Sequence, residues 1–166
     1  MAIPQAKIDV TEARLSALTV PEGSGWGERA RAKALQRLRD MGLPTRRDEY
    51  WKYTDPAALT QPVAPAAALN SPADEAFANI DRVKIVFTDG RFDSAASDDL
   101  DLAGIEVEQL ADALAHDIHW GREIYGVLEA AGQVPVQRSL ATLNTAYAEA
   151  GVMIRVKGCL LYTSPS

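Results

Sequence analysis

The chain of 166 residues has the length of one domain, and its 47% hydrophobic and 24% charged residues are ordinary for a globular protein. No apolar run reaches the roughly 18 residues that a membrane-spanning helix needs, and residues 1–10 lack the apolar stretch of a secretory signal. One cysteine, Cys159, can form neither an internal disulfide nor a four-cysteine zinc site. These features exclude a membrane-spanning or disulfide-stabilised protein and favour a cytoplasmic one.

The net charge of −6 is unevenly distributed along the chain. Segment 28–52 carries eight basic and four acidic side chains, so its net charge is +4 and that of the remainder is −10. A basic segment can contact an anionic partner, whereas an acidic chain with a pI near 4.9 does not favour general nucleic-acid binding. The pattern is more typical of a solvated helix face than of a binding surface.

The first predicted elements are two helices. A short helix is predicted around 10–18, with Asp9 and Glu12 spaced as in a capping box. A longer helix is predicted over 27–41, because apolar residues recur on one side at i, i+4 spacing. Gly42, followed two residues later by a proline, marks its end, since glycine can adopt the left-handed conformation and proline cannot continue a helix.

The middle of the chain changes character twice. Segment 45–59 is polar and aromatic and has no sustained amphipathic period, which is typical of a segment held on a surface. Segment 61–73 contains three prolines among alanines and is predicted to be a linker.

The second half is predicted to mix strands and helices. Asp89 and Gly90 form a tight-turn signal, and Trp120, Ile124 and Leu128 form an apolar row at helical spacing. A helix after Pro135 is predicted to be capped by Ser139 and to bury Leu140, Leu143 and Tyr147. Strands are predicted at 83–87, 105–110 and 152–156, and helices at 110–131, with Gly132 as its cap, and 139–149. The last strand has no predicted partner.

Two groups of side chains could in principle hold a metal. His116 and His119 lie three residues apart, and Asp112 precedes them by one helical turn. Histidines beside a helix break are more often capping or surface groups, so no metal site is predicted there. The acidic residues Asp98, Asp99 and Asp101 lack the glycine and glutamate of a calcium loop, which favours a solvated turn.

No catalytic motif is present in the sequence. The segment from Gly23 to Gly25 lacks the ending of a phosphate loop, and Cys159 has no neighbouring histidine in the sequence that could activate it. The residues alone therefore predict an α+β interaction module without catalytic, cofactor-binding or metal-binding residues.

Four segments carry a more specific signal. The first reads Gly-Leu-Pro-Thr-Arg-Arg-Asp-Glu-Tyr-Trp-Lys-Tyr-Thr over residues 42–54. The others lie at 86–92, at 125–131, and at 140–146 together with 151–156. In this order they resemble the SufB/SufD family of iron–sulfur cluster assembly, over nearly all of residues 27–157. The signature residues, which we expect to be structural or partner-facing, are Arg46, Arg47, Trp51, Lys52, Tyr53 and Thr54.

The resemblance implies more than the residues alone. It implies an N-terminal helical region, then a long parallel β-helix and a C-terminal helical domain. It also implies a non-catalytic scaffold component that acts beside SufB and a SufC-type ATPase, with no nucleic acid or membrane as partner. No cofactor is expected in this chain, because the full complex handles the iron–sulfur cluster.

The end of the chain departs from the family. Segment 159–166 reads as the in-frame translation of a transposon sequencing adapter, so we expect it, Cys159 included, to be an artefact. Strand 152–156 would then be the first strand of a truncated parallel β-helix. The predicted organisation is a helical region with the signature (1–60), a Pro/Ala-rich linker (61–80), a strand–helix region (81–151), the start of the β-helix (152–158) and the artefact (159–166).

A second interpretation stays open at this point. The chain could be a small stand-alone interaction module that binds an anionic partner through its basic segment, residues 28–52. Binding that weakens steeply with salt would distinguish this interpretation from the first.

Overall fold

The computed structural model describes residues 3–63, 79–101 and 104–157, and it confirms a mixed α+β chain. Its α-helices are α1 (Gln5–Ser16), α2 (Gly25–Met41), α3 (Ala57–Thr60), α4 (Leu110–Ala115), α5 (Val127–Ala131) and α6 (Ser139–Tyr147). Short 3₁₀ helices occupy Glu49–Trp51 and Trp120–Glu123. The strands are β1 (Phe87–Thr88), β2 (Arg91–Phe92), β3 (Ile105–Gln109) and β4 (Val152–Val156).

The chain divides into two compact units. The first unit is formed by Met1–Ala66 with Leu114–Ala148, and the second by Ala67–Ala113 with Glu149–Ser166. No helix among the described residues is both long and apolar enough to cross a membrane.

The first unit is built around a small leucine core. Leu15 of α1, Leu38 of α2 and Leu43 after α2 are buried together. As predicted, Leu140, Leu143 and Tyr147 of α6 pack against this core. The predicted cap at Ser139 is wrong, because Ser139 already lies in the first turn of α6 and makes no capping bond.

Helix α1 begins earlier than the sequence pattern predicted. Its N-cap is Pro4, and proline suits a helix start because its fixed φ is already close to the helical value. The predicted capping box is wrong, since Asp9 and Glu12 both lie inside α1. Glu12 instead forms an exposed ion pair with Arg39 of α2, at 3.2 Å.

The end of α2 confirms the prediction made from Gly42. This residue has φ of +67°, and its N–H donates to the Leu38 carbonyl oxygen at 2.7 Å. The chain then turns so that Leu43 is fully buried and donates its N–H to the Thr11 hydroxyl at 2.8 Å. The turn thus fastens α2 to α1 through one buried hydrogen bond as well as apolar contact.

The continuous helix predicted over 110–131 is wrong. Helix α4 stops at Ala115, and the side chain of His119 then caps the 3₁₀ helix Trp120–Glu123. Gly126, with φ of +73°, breaks the helical path again before α5. The predicted apolar row is therefore not a buried face: Ile124 is 54% exposed and Leu128 is 86% exposed. Gly132 does follow α5 as its C-terminal cap.

The second unit contains a short hairpin. Strands β1 and β2 pair antiparallel through a turn at Asp89 and Gly90, as predicted, and the rings of Phe87 and Phe92 meet edge to face. The predicted strand 83–87 forms only at its last residue. One residue earlier, the N–H of Val86 donates to the side-chain hydroxyl of Ser97. This N–H therefore bonds a loop residue instead of a neighbouring strand.

The acidic residues near this hairpin are exposed, as expected, but they lie in irregular chain rather than in the predicted turn. The Asp98 carboxylate accepts the N–H of Lys84 at 2.6 Å, and the Asp99 carboxylate accepts the N–H of Asp101 at 3.0 Å.

A two-stranded ribbon also belongs to the second unit. Strand β4 pairs antiparallel with β3, from Ile105 opposite Val156 to Gln109 opposite Val152. The expectation that the last strand has no partner is wrong, because its partner lies earlier in the chain. Most of the predicted linker 61–80 and the whole of segment 159–166 lie outside the described residues.

Candidate functional site

The signature residues follow α2 in a segment that is fastened by Asp48. The carboxylate of Asp48 accepts the N–H of Thr45 at 2.7 Å and the Nζ of Lys7 at 3.1 Å. Burial alone would raise the pKa of Asp48, but the hydrogen bonds from Thr45 and Lys7 hold it below its usual value. A charged Asp48 therefore fixes the signature segment to α1 at neutral pH.

Most signature side chains are exposed to solvent. Tyr53 is 90% exposed, and Arg46, Arg47 and Thr54 are exposed as well. Lys52 is exposed and bonds Glu49 at 2.6 Å, with its Nζ 5.0 Å from the Tyr53 ring centroid. Five of the six signature residues thus contribute little to the core.

Trp51 is the half-buried member of the signature, and it borders two clefts. One, of about 420 Å³, is lined by Trp51 with Tyr50, Thr54 and residues 136–141. The other, of about 300 Å³, lies between Trp51, Lys7, Pro44 and residues around Val136. The sequence pattern alone did not indicate the 135–141 wall, because those residues come more than 80 positions after the signature.

His119 takes the capping role that the sequence favoured, and His116 is an exposed surface residue. The His119 Nδ1 accepts the N–H of Gly121 at 3.0 Å. The His119 ring stacks on Trp26 at 6.0 Å and on His116 at 6.4 Å between centroids. Among the residues that the structure describes, no group of three or more His, Cys, Asp or Glu side chains could hold a metal.

The basic segment 28–52 does not form one continuous surface. Arg31 is 3% exposed and donates to the Ala148 carbonyl oxygen at 2.9 Å. Arg37 pairs with Glu129, and Arg39 and Lys52 pair with Glu12 and Glu49. Half of the eight basic side chains are therefore already engaged within the chain.

The carboxylate of Glu129 accepts hydrogen bonds from three different residues of the first unit. It accepts from Arg37 and from Thr142, each at 2.5 Å, and from Gln133 at 2.7 Å. Burial alone would raise the pKa of Glu129, but the hydrogen bonds from Arg37 and Thr142 lower it. This carboxylate joins α5 to both α2 and α6.

Comparison with known proteins identifies the family. The family model described as SufBD protein N-terminal region matches residues 23–160, which is most of the chain. The chain therefore belongs to the SufBD N-terminal region family, and the resemblance seen in the sequence is confirmed.

One curated relative gives a more particular likeness. The chain is 42% identical over 76 residues to the iron-sulfur cluster assembly protein SufD of Escherichia coli (strain K12). The match covers 44% of this chain and 18% of the relative, so the chain spans a small part of that protein's length. No solved structure matches the chain.

Proposed function

We propose that the chain is the N-terminal region of a SufD-like subunit of a SufBCD-type iron–sulfur cluster assembly scaffold. The observation that carries the proposal is the family match over residues 23–160. The likeness to SufD of E. coli supports SufD rather than SufB as the type of subunit. The proposed subunit is non-catalytic and cytoplasmic, and its proposed partners are SufB and a SufC-type ATPase. The cluster is the cargo of the full complex, so no cofactor-binding residue is assigned here.

The signature surface is the proposed contact region of this chain. Its residue Tyr53 is 90% exposed, and Thr54 lines a cleft together with Trp51 and the exposed neighbour Tyr50. Aromatic and arginine side chains are enriched where proteins meet, because they offer large contact areas with few lost rotamers. This supports a partner-facing role for the signature, with Trp51 as its structural anchor.

Strand β4 is the proposed first strand of a parallel β-helix, with the antiparallel strand β3 on one side of it. Within the described residues, β3 and β4 pair only with each other, so each strand keeps an outer edge. Ile154 and Val156 of β4 are each about half exposed. Further rungs stacked on the ribbon would cover such residues, because neighbouring repeats bury each other's apolar surface. A chain without these rungs is expected to self-associate.

The stand-alone module is the weaker proposal. The comparisons give no support for it, and half of its basic segment is engaged in contacts within the chain. No enzyme activity is proposed, since no nucleophile–base pair emerges from the sequence or the described side chains.

Complex formation tests the proposed function. The gene is sequenced past the codon for Gly158, and the full open reading frame is co-expressed with SufB and SufC of E. coli. We expect the frame to continue into a long repeat region and the tagged product to co-purify with both partners. A full-length product that forms no complex with either protein would refute the proposal. A frame that ends at Ser166 would refute the β-helix.

A further inference from the structure

A cationic cleft lies beside α2, apart from the signature. It has a volume of about 380 Å³ and shares no lining residue with the clefts around Trp51. Arg29, Lys33 and Arg37 line it from α2, and Arg122 lines it from the 3₁₀ helix Trp120–Glu123. Since four residues rise about 6 Å along a helix, the three α2 cations form a row about 12 Å long.

The row is only partly neutralised within the chain. Arg37, at one end, holds the Glu129 carboxylate at 2.5 Å. Arg29 and Lys33 are exposed, and neither forms an ion pair or a hydrogen bond with any residue in the described part of the chain. The Arg37–Glu129 pair thus shows how the row binds a carboxylate, and two equivalent positions beside it remain open.

The other wall of the cleft is mixed. Arg122 and Glu123 line it as an ion pair, with 3.7 Å between nitrogen and oxygen. Its apolar part is formed by Val127 and Ala130 of α5 and by the Tyr125 ring. The Tyr125 hydroxyl donates its hydrogen to the Thr145 carbonyl oxygen at 2.7 Å and therefore has none left for an anion. Only the basic side chains of the cleft can then bind an anion. The next residue after Val127, Leu128, is 86% exposed. It adds apolar surface outside the cleft.

We propose that this cleft binds an acidic, amphipathic segment of a partner protein. Its carboxylates would lie on Arg29 and Lys33, because Arg37 and Arg122 are already paired with Glu129 and Glu123. Its apolar side chains would pack on Val127 and Leu128. A row of separated cations fits successive carboxylates better than one small anion, which needs donors that converge on a point. A nucleic-acid polyanion would extend beyond the cleft and meet the acidic remainder of the chain, whereas a short acidic segment stays within the row of cations. The inference does not depend on the iron–sulfur assignment.

Peptide binding to the complete 166-residue chain tests this proposal. The probe is a fluorescein-labelled synthetic helix with a row of Glu at i, i+4 spacing beside a row of Leu. We expect the double variant Arg29→Gln/Lys33→Gln to bind it about tenfold more weakly, which is the combined effect of two exposed ion pairs. The matched control is Ala6→Glu/Ala13→Glu, which changes the net charge equally on exposed positions of α1 that do not line the cleft. This control is expected to bind within about twofold of the original chain.

Further measurements separate the alternatives. A probe with Lys in place of Glu, tested on the unchanged chain, is expected not to bind, and this holds even if the double variant misfolds. Val127→Ser is expected to weaken the Glu/Leu probe but not a probe of Glu alone. Equal weakening by the control pair, or no binding by the original chain, would overturn the proposal. Inorganic phosphate that displaces the probe at equal concentration would assign the cleft to small anions instead.

Discussion

Replacing Glu129 by Gln is predicted to lower the free energy of unfolding by about 2 kcal/mol at neutral pH. The Glu129 side chain is 8% exposed and that of Arg37 is 28% exposed, so solvent screens their interaction only in part. Hydrogen bonds to charged groups contribute about 1.5–3 kcal/mol in such settings. Gln keeps the shape and can still accept one hydrogen bond, but its amide would turn a donor toward Arg37 or Thr142. The assay is urea denaturation followed by circular dichroism.

A second ion pair, which also uses an arginine of α2, provides the control. Glu12 and Arg39 have the same chemistry as Glu129 and Arg37, but both side chains are about half exposed. Exposed pairs contribute about 0–1 kcal/mol, so Glu12→Gln is expected to change the stability by less than half as much. Equal losses in the two variants would refute the argument that burial decides the contribution. No loss in Glu129→Gln would refute the role of the carboxylate.

The same carboxylate predicts a dependence of stability on pH. Because the folded pKa of Glu129 is lowered, its stabilisation is complete at neutral pH. It starts to decrease as the pH falls through the unfolded value of about 4.3, and it is lost once the pH is below the folded value. Unfolding free energies measured across this range should therefore fall less steeply for Glu129→Gln than for the original chain. Parallel curves would contradict the prediction.

Three further tests, with five substitutions in all, concern other parts of the structure. Trp51→Ala is expected to lower the melting temperature of the 166-residue chain or to impair complex formation by the full-length protein. The control Tyr53→Ala should leave the melting temperature nearly unchanged. Unaltered melting and assembly in Trp51→Ala would contradict this prediction. Leu38→Ala should cost about 2–5 kcal/mol by denaturation and Leu128→Ala less than about 0.5, because the first side chain is fully buried and the second is not. Gly42→Ala should cost about 1–3 kcal/mol, since a side chain there strains the backbone, and an unchanged midpoint would refute it.

The parts of the fold that were predictable depend on neighbouring residues. Helix α2 and its end followed from an apolar stripe and a glycine, both within one stretch of chain, and the structure confirms them. Strands β3 and β4 were recognised one by one for the same reason. Their pairing was not, because it joins segments more than 40 residues apart and periodicity carries no information on partners.

The errors have a physical cause as well. The apolar row of Trp120, Ile124 and Leu128 has helical spacing, but the cap formed by His119 and the positive φ of Gly126 interrupt the helix. Each of those features depends on a single residue. A search for apolar residues at helical spacing averages over many residues and does not detect them. The same distinction holds for the candidate site. The signature was recognisable in the sequence as a motif. The ion pair between Asp48 and Lys7 and the cleft wall at 135–141 were not, because both depend on tertiary contacts.

The packing of α2 against α6 has a consequence for synthesis on the ribosome. The buried Arg31 of α2 donates to the carbonyl oxygen of Ala148, 117 residues further along the chain. At about 5–20 residues per second, the ribosome needs roughly 6–23 seconds to make that stretch. During this interval the apolar face of α2 has emerged without its permanent cover, so the nascent chain is expected to need a chaperone or a transient substitute contact until α6 arrives.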